Sequence, residues 1–270
     1  MIRFRKRHEV VRQVESLTQF SPNERNPTAL YGLPEDVRFC TRCVISNQRP
    51  NSSVEYQHRA ESQKKTIQLD DTGVCDACRV AEEKANRIVW DNREEQLREL
   101  CDRHRKNGKG YDCLVPGSGG KDSFFAAHIL KYKYDMNPLT VTWAPHIYTD
   151  WGWRNFQAWI NAGFDNFLMT PNARIHRLIT RLAVENLFHP FQPFMFGQKA
   201  LAPKMAALFD IPLVFYGENE AEYGNPIEDT RSSQRDWEYF SGDDLSKISL
   251  GGVSMQELQT DFGVTAVDLE

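Results

Sequence analysis

The stretch Pro116-Gly117-Ser118-Gly119-Gly120-Lys121-Asp122-Ser123 constrains this chain more than any other. The run before it, Tyr111-Asp112-Cys113-Leu114-Val115, reads as a buried parallel strand, and the run after it, Phe124-Phe125-Ala126-Ala127-His128-Ile129-Leu130, as a helix with an apolar face. Strand, glycine loop and helix in that order make an anion cradle. Glycines allow the tight turn, and the loop amides then face a phosphate together with the positive end of the helix. Ser118, Ser123 and Lys121 add two hydroxyls and a cation. A Walker loop is excluded: Val115 stands where its first glycine belongs, and Asp122 rather than Ser or Thr follows the lysine.

The chain has 270 residues, 40% hydrophobic and 26% charged, which suits one sizeable core plus a small appendage. No apolar run is long enough to span a bilayer. The basic start, with its Arg3–Arg7 cluster, lacks the apolar core of a signal peptide, so a cytoplasmic location is expected. A net charge of −4 gives no general drive toward nucleic acid.

Four segments follow from composition. Residues 1–37 form an arm with turn formers at Ser21-Pro22 and Asn26-Pro27. Residues 38–107 hold Cys40-Thr41-Arg42-Cys43 and Cys75-Asp76-Ala77-Cys78, two knuckles that predict a structural tetrahedral zinc site on Cys40, Cys43, Cys75 and Cys78. The alternatives are disulfides or an iron–sulfur cluster. A charged helix over 81–107 completes this module, with Leu97, Leu100, Cys101 and His104 on one face.

Residues 108–226 alternate strand and helix. Strands are expected at 139–144, 164–169 and 211–216, and helices at 153–162, 175–187 and 197–209, the last interrupted at Pro203. The aromatic run 189–196 reads as a loop. The fold class is α/β, a parallel sheet with helices on both faces. Ligands then bind beyond the C-terminal strand ends, where the segments 117–123, 145–155 and 217–225 should converge. From Glu218 onward thirteen acids face three basic residues. Residues 227–270 are therefore expected to cap the site or meet a partner, with a short helix near 254–262, and to be a shortened version of a longer segment.

The pattern Ser-Gly-Gly-Lys-Asp-Ser resembles the PP-loop of the ATP pyrophosphatase superfamily. Phe39-Cys40-Thr41-Arg42-Cys43-Val44, Gly73-Val74-Cys75-Asp76-Ala77-Cys78, Gly163-Phe164-Asp165, Thr170-Pro171-Asn172 and Tyr216-Gly217-Glu218-Asn219 narrow the resemblance. Over about residues 38–226 the chain is similar to the N-acetyl sugar amidotransferases of bacterial surface-polysaccharide biosynthesis. That resemblance implies an adenine-nucleotide-hydrolase-like fold and a reaction in which an acetamido group of a nucleotide sugar becomes an acetamidino group. ATP would adenylate the amide oxygen, releasing pyrophosphate; ammonia would then displace AMP. A glutaminase and a barrel subunit are the implied ammonia suppliers.

On this reading Gly117, Ser118, Gly119, Gly120 and Ser123 hold pyrophosphate, and Lys121 neutralises phosphate charge. Asp122 orients the loop or approaches Mg²⁺, Glu218 is a candidate Mg²⁺ ligand, and Asn219 a donor. Main-chain groups of the strand near Val141, Thr142 and Trp143 meet adenine, and Tyr148, Asn155 and Lys199 contact substrate. The competing readings are a tRNA thiolase and a non-catalytic nucleotide sensor. All six cysteines precede Lys121, and many thiolases carry sulfur on a cysteine after the loop.

Overall fold

The computed structural model describes residues 32–51, 58, 59, 61–223, 225–230, 240, 242 and 244–269. The basic cluster at the start, most of the 1–37 arm and residues 231–239 of the acidic segment lie outside them.

The centre of the molecule is a parallel sheet of β1 (Cys113–Pro116), β2 (Pro138–Trp143) and β3 (Asp165–Met169), in that order. Cys113, Leu114 and Val115 are completely buried, as expected for a strand covered on both faces. Alternation sends them to opposite sides. Cys113 and Val115 meet α2 (Trp90–His104), α3 (Lys121–Tyr132) and α4 (Asp150–Asn161) in one apolar cluster. Leu114 joins Leu139, Val141 and the Leu201, Ala202 and Ala206 face of α6 (Gln192–Leu208) in another. Helices therefore flank both faces of the sheet.

Aromatic rings lock α3 to α4. Phe124 lies 5.5 Å from Trp159, and Trp159 5.4 Å from Phe164. Burying a side chain of this size contributes roughly 1.5–3 kcal/mol.

Residues 211–216 do not form a full fourth strand. Pro212 has no amide to donate, so pairing starts only at Leu213. Two bonds remain: Leu114 N donates to Leu213 O, and Phe215 N to Leu114 O, each at 2.9 Å. This segment lies on the free side of β1, opposite β2. The chain thus runs β1, β2, β3 outward, then returns to the other side of β1. The strand order reverses at β1, the strand that carries the glycine loop.

Several boundaries differ from expectation, each for a local reason. The single helix expected over 81–107 is two, α1 (Asp76–Asn86) and α2, parted by Arg87-Ile88-Val89. Helix α4 starts three residues early because the Thr149 hydroxyl accepts from Gly152 N and caps it. The aromatic run 189–196 is largely helical: α6 begins at Gln192 and continues through Pro203. Phe188 and Phe191 on its approach are exposed.

The acidic end also has its own core. Beyond α7 (Ile227–Thr230), β4 (Ser249–Leu250) and β5 (Val253–Ser254) form a hairpin leading to α8 (Met255–Phe262). Ser254 and Glu257 make the capping box that starts α8. Ile248, Leu250, Leu258 and Phe262 pack on Ile175, Leu178, Ile179 and Leu182 of α5 (Ala173–Leu187). Residues 248–264 are therefore a packed part of the domain. Among the described residues no helix is long and apolar enough to cross a membrane.

Candidate functional site

The glycine loop leaves β1 and opens α3. Gly117 N donates to Val141 O at 2.9 Å, and the buried Thr142 hydroxyl donates to Gly117 O at 2.6 Å. Thr142, expected near adenine, thus uses its side chain to hold the loop. Gly119 has φ +85, and a Cβ there would sit 2.3 Å from Asn155 O. The loop therefore lies against the backbone of α4, and Asn155 contributes its carbonyl to that contact. Gly120 caps α3 without any side-chain bond, which leaves the opening amides of the helix to an outside acceptor. Ser118 and Gly120 are exposed, and the Ser123 hydroxyl donates to Gly120 O at 3.2 Å.

Lys121 projects into solvent and pairs with its neighbour. Its Nζ lies 2.8 Å from Asp122 Oδ1 and 3.1 Å from Oδ2, and this bond raises its pKa.

The second wall comes from the segment after residue 216. A Cβ on Gly217 would meet Ser123 N at 2.6 Å, so Gly217 presses on the first turn of α3. Glu218 and Asn219 follow and are exposed. Tyr223 ends the short 3₁₀ turn Glu220–Tyr223, and Glu218 lies close enough to affect its hydroxyl. Burial first, then Glu218, Asp122 and Glu222, raise its pKa. Asp122 and Glu218 therefore share one neighbourhood across the mouth of the loop. The segments 117–123, 145–155 and 217–225 do come together, as the strand ends require.

The cysteines form a separate centre. Cys40, Cys43, Cys75 and Cys78 have sulfurs all within 4.8 Å of one another; the 40–78 pair is 3.9 Å apart and the 43–75 pair 3.6 Å. A tetrahedral ion with bonds of about 2.3 Å sets its sulfurs about 3.8 Å apart. The four thiols are thus positioned to bind a metal ion such as zinc. Two turns build the cage. Cys40 N donates to Ile45 O, and Thr41 N to Gly73 O, which stitches one knuckle to the other. Asp70 Oδ1 accepts from the amides of Thr72 and Val74, shaping the turn before Cys75. Cys75 then caps α1 and places Cys78 in its first turn.

Burial opposes the Cys40 thiolate, yet amides of Cys75, Arg42 and Cys43 outweigh it and lower its pKa to about 6. Burial and the neighbouring thiols push Cys75 and Cys78 upward. A bound cation reverses that second effect and deprotonates all of them. Cys101 and Cys113 are fully buried elsewhere, and burial raises both pKa values.

Sequence reasoning missed an aromatic cluster at the end of β2. Trp143 packs so tightly on Gly197 that a Cβ there would lie 2.2 Å from the indole. His146 sits 4.5 Å, ring to ring, from His176 and 5.7 Å from Phe194. Trp143 Nε1 and His176 Nε2 are buried and bond nothing among the described residues. Such atoms usually take a water or a ligand group. The aromatic run 189–196 supplies Phe191 and Phe194 to this cluster, but His146 and His176 are far apart in the chain and give no joint signal. Tyr148, expected to contact substrate, packs its ring on Trp153 and Phe156, and its buried hydroxyl likewise has no partner among the described residues.

A cavity of about 500 Å³ opens at the opposite end of the strands, among Arg105, Asp112, Lys131 and Asn137. Its cations are already committed, Arg105 to Tyr134 O and Lys131 to Gly163 O. Convergent free donors are at the glycine loop instead.

Two outcomes follow from this geometry. Metal analysis should give one zinc per chain, lost with the fold of the knuckles in Cys75→Ser; no metal and four reactive thiols would contradict it. His176 concerns pH. Burial, then His146, lowers its pKa to about 4 from an ordinary 6.5. Between those values the unfolded chain binds a proton that the folded chain does not, so stability is full above 6.5 and falls as pH drops toward 4. Allowing for partial exposure, the loss is on the order of 1–2 kcal/mol. Urea unfolding at about pH 7 and about pH 5 should show it, and His176→Phe should flatten it. Identical pH slopes in the two proteins would contradict the assignment.

No family model matches the chain. An uncharacterized protein of Methanocaldococcus jannaschii is 36% identical over 52 residues, a stretch that spans 19% of this chain and 19% of that protein.

Proposed function

We propose that this chain is an ATP-dependent amidotransferase of the PP-loop type, which converts an acetamido group of a nucleotide sugar into an acetamidino group. The observation that carries the ATP half is the glycine loop. It opens α3 at the strand where the sheet order reverses, and Gly217 brings a second wall onto the same helix turn. The motif resemblance over residues 38–226 carries the sugar half.

The chemistry follows from what an amide lacks. Its carbonyl is a poor electrophile and its oxygen a poor leaving group. Attack of that oxygen on the α-phosphorus of ATP breaks the α–β bond and releases pyrophosphate. Ammonia then adds to the carbon of the O-adenylyl imidate, and the C–O bond breaks to release AMP. In this reading the amides of Ser118, Gly119, Gly120 and Lys121 and the hydroxyls of Ser118 and Ser123 hold pyrophosphate. Lys121 turns from Asp122 to the developing phosphate charge. Asp122 and Glu218 would hold Mg²⁺, which supplies further charge neutralisation, and Asn219 donates to phosphate or sugar. The Cys₄ centre would hold zinc as a structural ion, since four thiolates leave no open position.

A reactive imidate is lost to water unless ammonia reaches it promptly. Ammonia therefore comes from a glutaminase with its barrel partner. Burial of Cys101 and Cys113 favours the amidotransferase over a thiolase, because it leaves no accessible thiol outside the cage among the described residues.

Phosphorus NMR of a mixture with ATP, Mg²⁺, ammonium and diacetamido nucleotide sugars should show AMP and pyrophosphate, with mass spectrometry showing O replaced by NH. Lys121→Ala should lower kcat by about 10²–10³-fold, the size of losing one preorganised donor. ADP as product would overturn the assignment.

A further inference from the structure

Asp76 is a buried acid within the second knuckle. It is 4% exposed, stands between Cys75 and Cys78, and lies in the first turn of α1. A buried carboxylate is costly unless bonded on its free lone pairs. Asp76 Oδ1 accepts from Arg79, one turn on. Its Oδ2 accepts from the amide of Ile227 at 2.9 Å, 151 residues away in sequence. Arg79 Nε also lies 4.0 Å from Asp70, the residue that shapes the turn before Cys75. The corner 70–79 is thus one bonded unit built around the cage.

The chain from 217 to 227 is held at both ends. Gly217 is pressed on the first turn of α3, and Ile227 is bonded to Asp76. Between them Glu222 pairs with Lys84 of α1, a second tie to the same helix. Glu218, Asn219 and Tyr223 ride on that span. Its geometry is therefore referred to the cysteine cage at one end and to the glycine loop at the other.

We propose that Asp76 is a positioning residue: it transmits the fixed geometry of the metal-holding knuckle to the 217–227 wall of the phosphate site. Metal loss then loosens this wall before it loosens the sheet. The word "phosphate" rests on the function proposed above; the mechanical link does not.

The test is hydrogen exchange on the full metal-loaded chain. In Asp76→Ala, exchange across 218–230 should rise about tenfold or more, the effect of losing a hydrogen bond to a charged acceptor. Exchange in β1 and α3 and the metal content should stay as they were. Ile227→Pro removes the amide and leaves Asp76 and the cysteines intact; proline is tolerated at a first helical position. It should loosen the same segment. Asp76→Asn, which keeps one acceptor, should restore most of the protection. Chelating the metal should reproduce the local loosening in the unaltered chain. Unchanged protection of 218–230 in Ile227→Pro, or after chelation, would overturn the proposal. A second readout tests the coupling to the site: affinity for inorganic pyrophosphate should fall in Ile227→Pro while metal content holds. Loosening without any pyrophosphate binding in the unaltered chain would leave the link standing and count against the phosphate reading alone.

Discussion

Three glycines around the loop that opens α3 approach their neighbours more closely than any side chain allows. Gly117 lies on Ser123, Gly119 on the Asn155 carbonyl, and Gly217 on the Ser123 amide. In each place a Cβ would come within 2.6 Å of a heavy atom, so glycine is a steric requirement at these positions. The result is a tightly packed loop in which Gly119 is buried and Ser118 and Gly120 are exposed. Under the proposed function, donors held this closely would need little reorganisation to meet an anion. The strand order adds to it. Because residues 213–215 return to the free side of β1, the loop after β1 and the loop after residue 216 become neighbours.

The cysteine cage addresses a different problem. Among the described residues of 38–80 the buried core is little more than Ile67, Val74, Cys40 and Cys75. A metal ion held by the four cysteines would supply the cohesion that such a segment cannot obtain from burial. Helix α1 grows directly out of the second knuckle and faces the 220–223 turn. The two centres are thus connected through Asp76 and Lys84 as well as through the chain.

Much of this was legible in the sequence, for identifiable reasons. The Cys-x-x-Cys spacing and the glycine loop are short-range signals, and Ser254 with Glu257 announces α8 in the same way. The alternation of apolar strands and amphipathic helices gave the parallel sheet. What was not legible depended on contacts distant in sequence. Asp76 looks like a surface acid inside a knuckle, and only the approach of Ile227 makes it a buried acceptor. Thr142 looks like a strand residue near a ligand, but its hydroxyl donates to the Gly117 carbonyl and accepts from Asn166. Pro212 is a local signal against a full fourth strand, since it lacks an amide to donate. The acidic count after Glu218 likewise concealed Ile248, Leu250, Leu258 and Phe262, whose partners lie in α5.

The central claim is that backbone amides of the glycine loop hold pyrophosphate. Amide NMR during titration with inorganic pyrophosphate tests it without any assumption about the sugar or the ammonia source. The amides of Ser118, Gly119, Gly120 and Lys121 should shift first and together, with Gly217 beside them, and inorganic phosphate should bind more weakly at the same place. Shifts confined to the cavity around Arg105 and Lys131, or no saturable shift at the loop, would contradict the account.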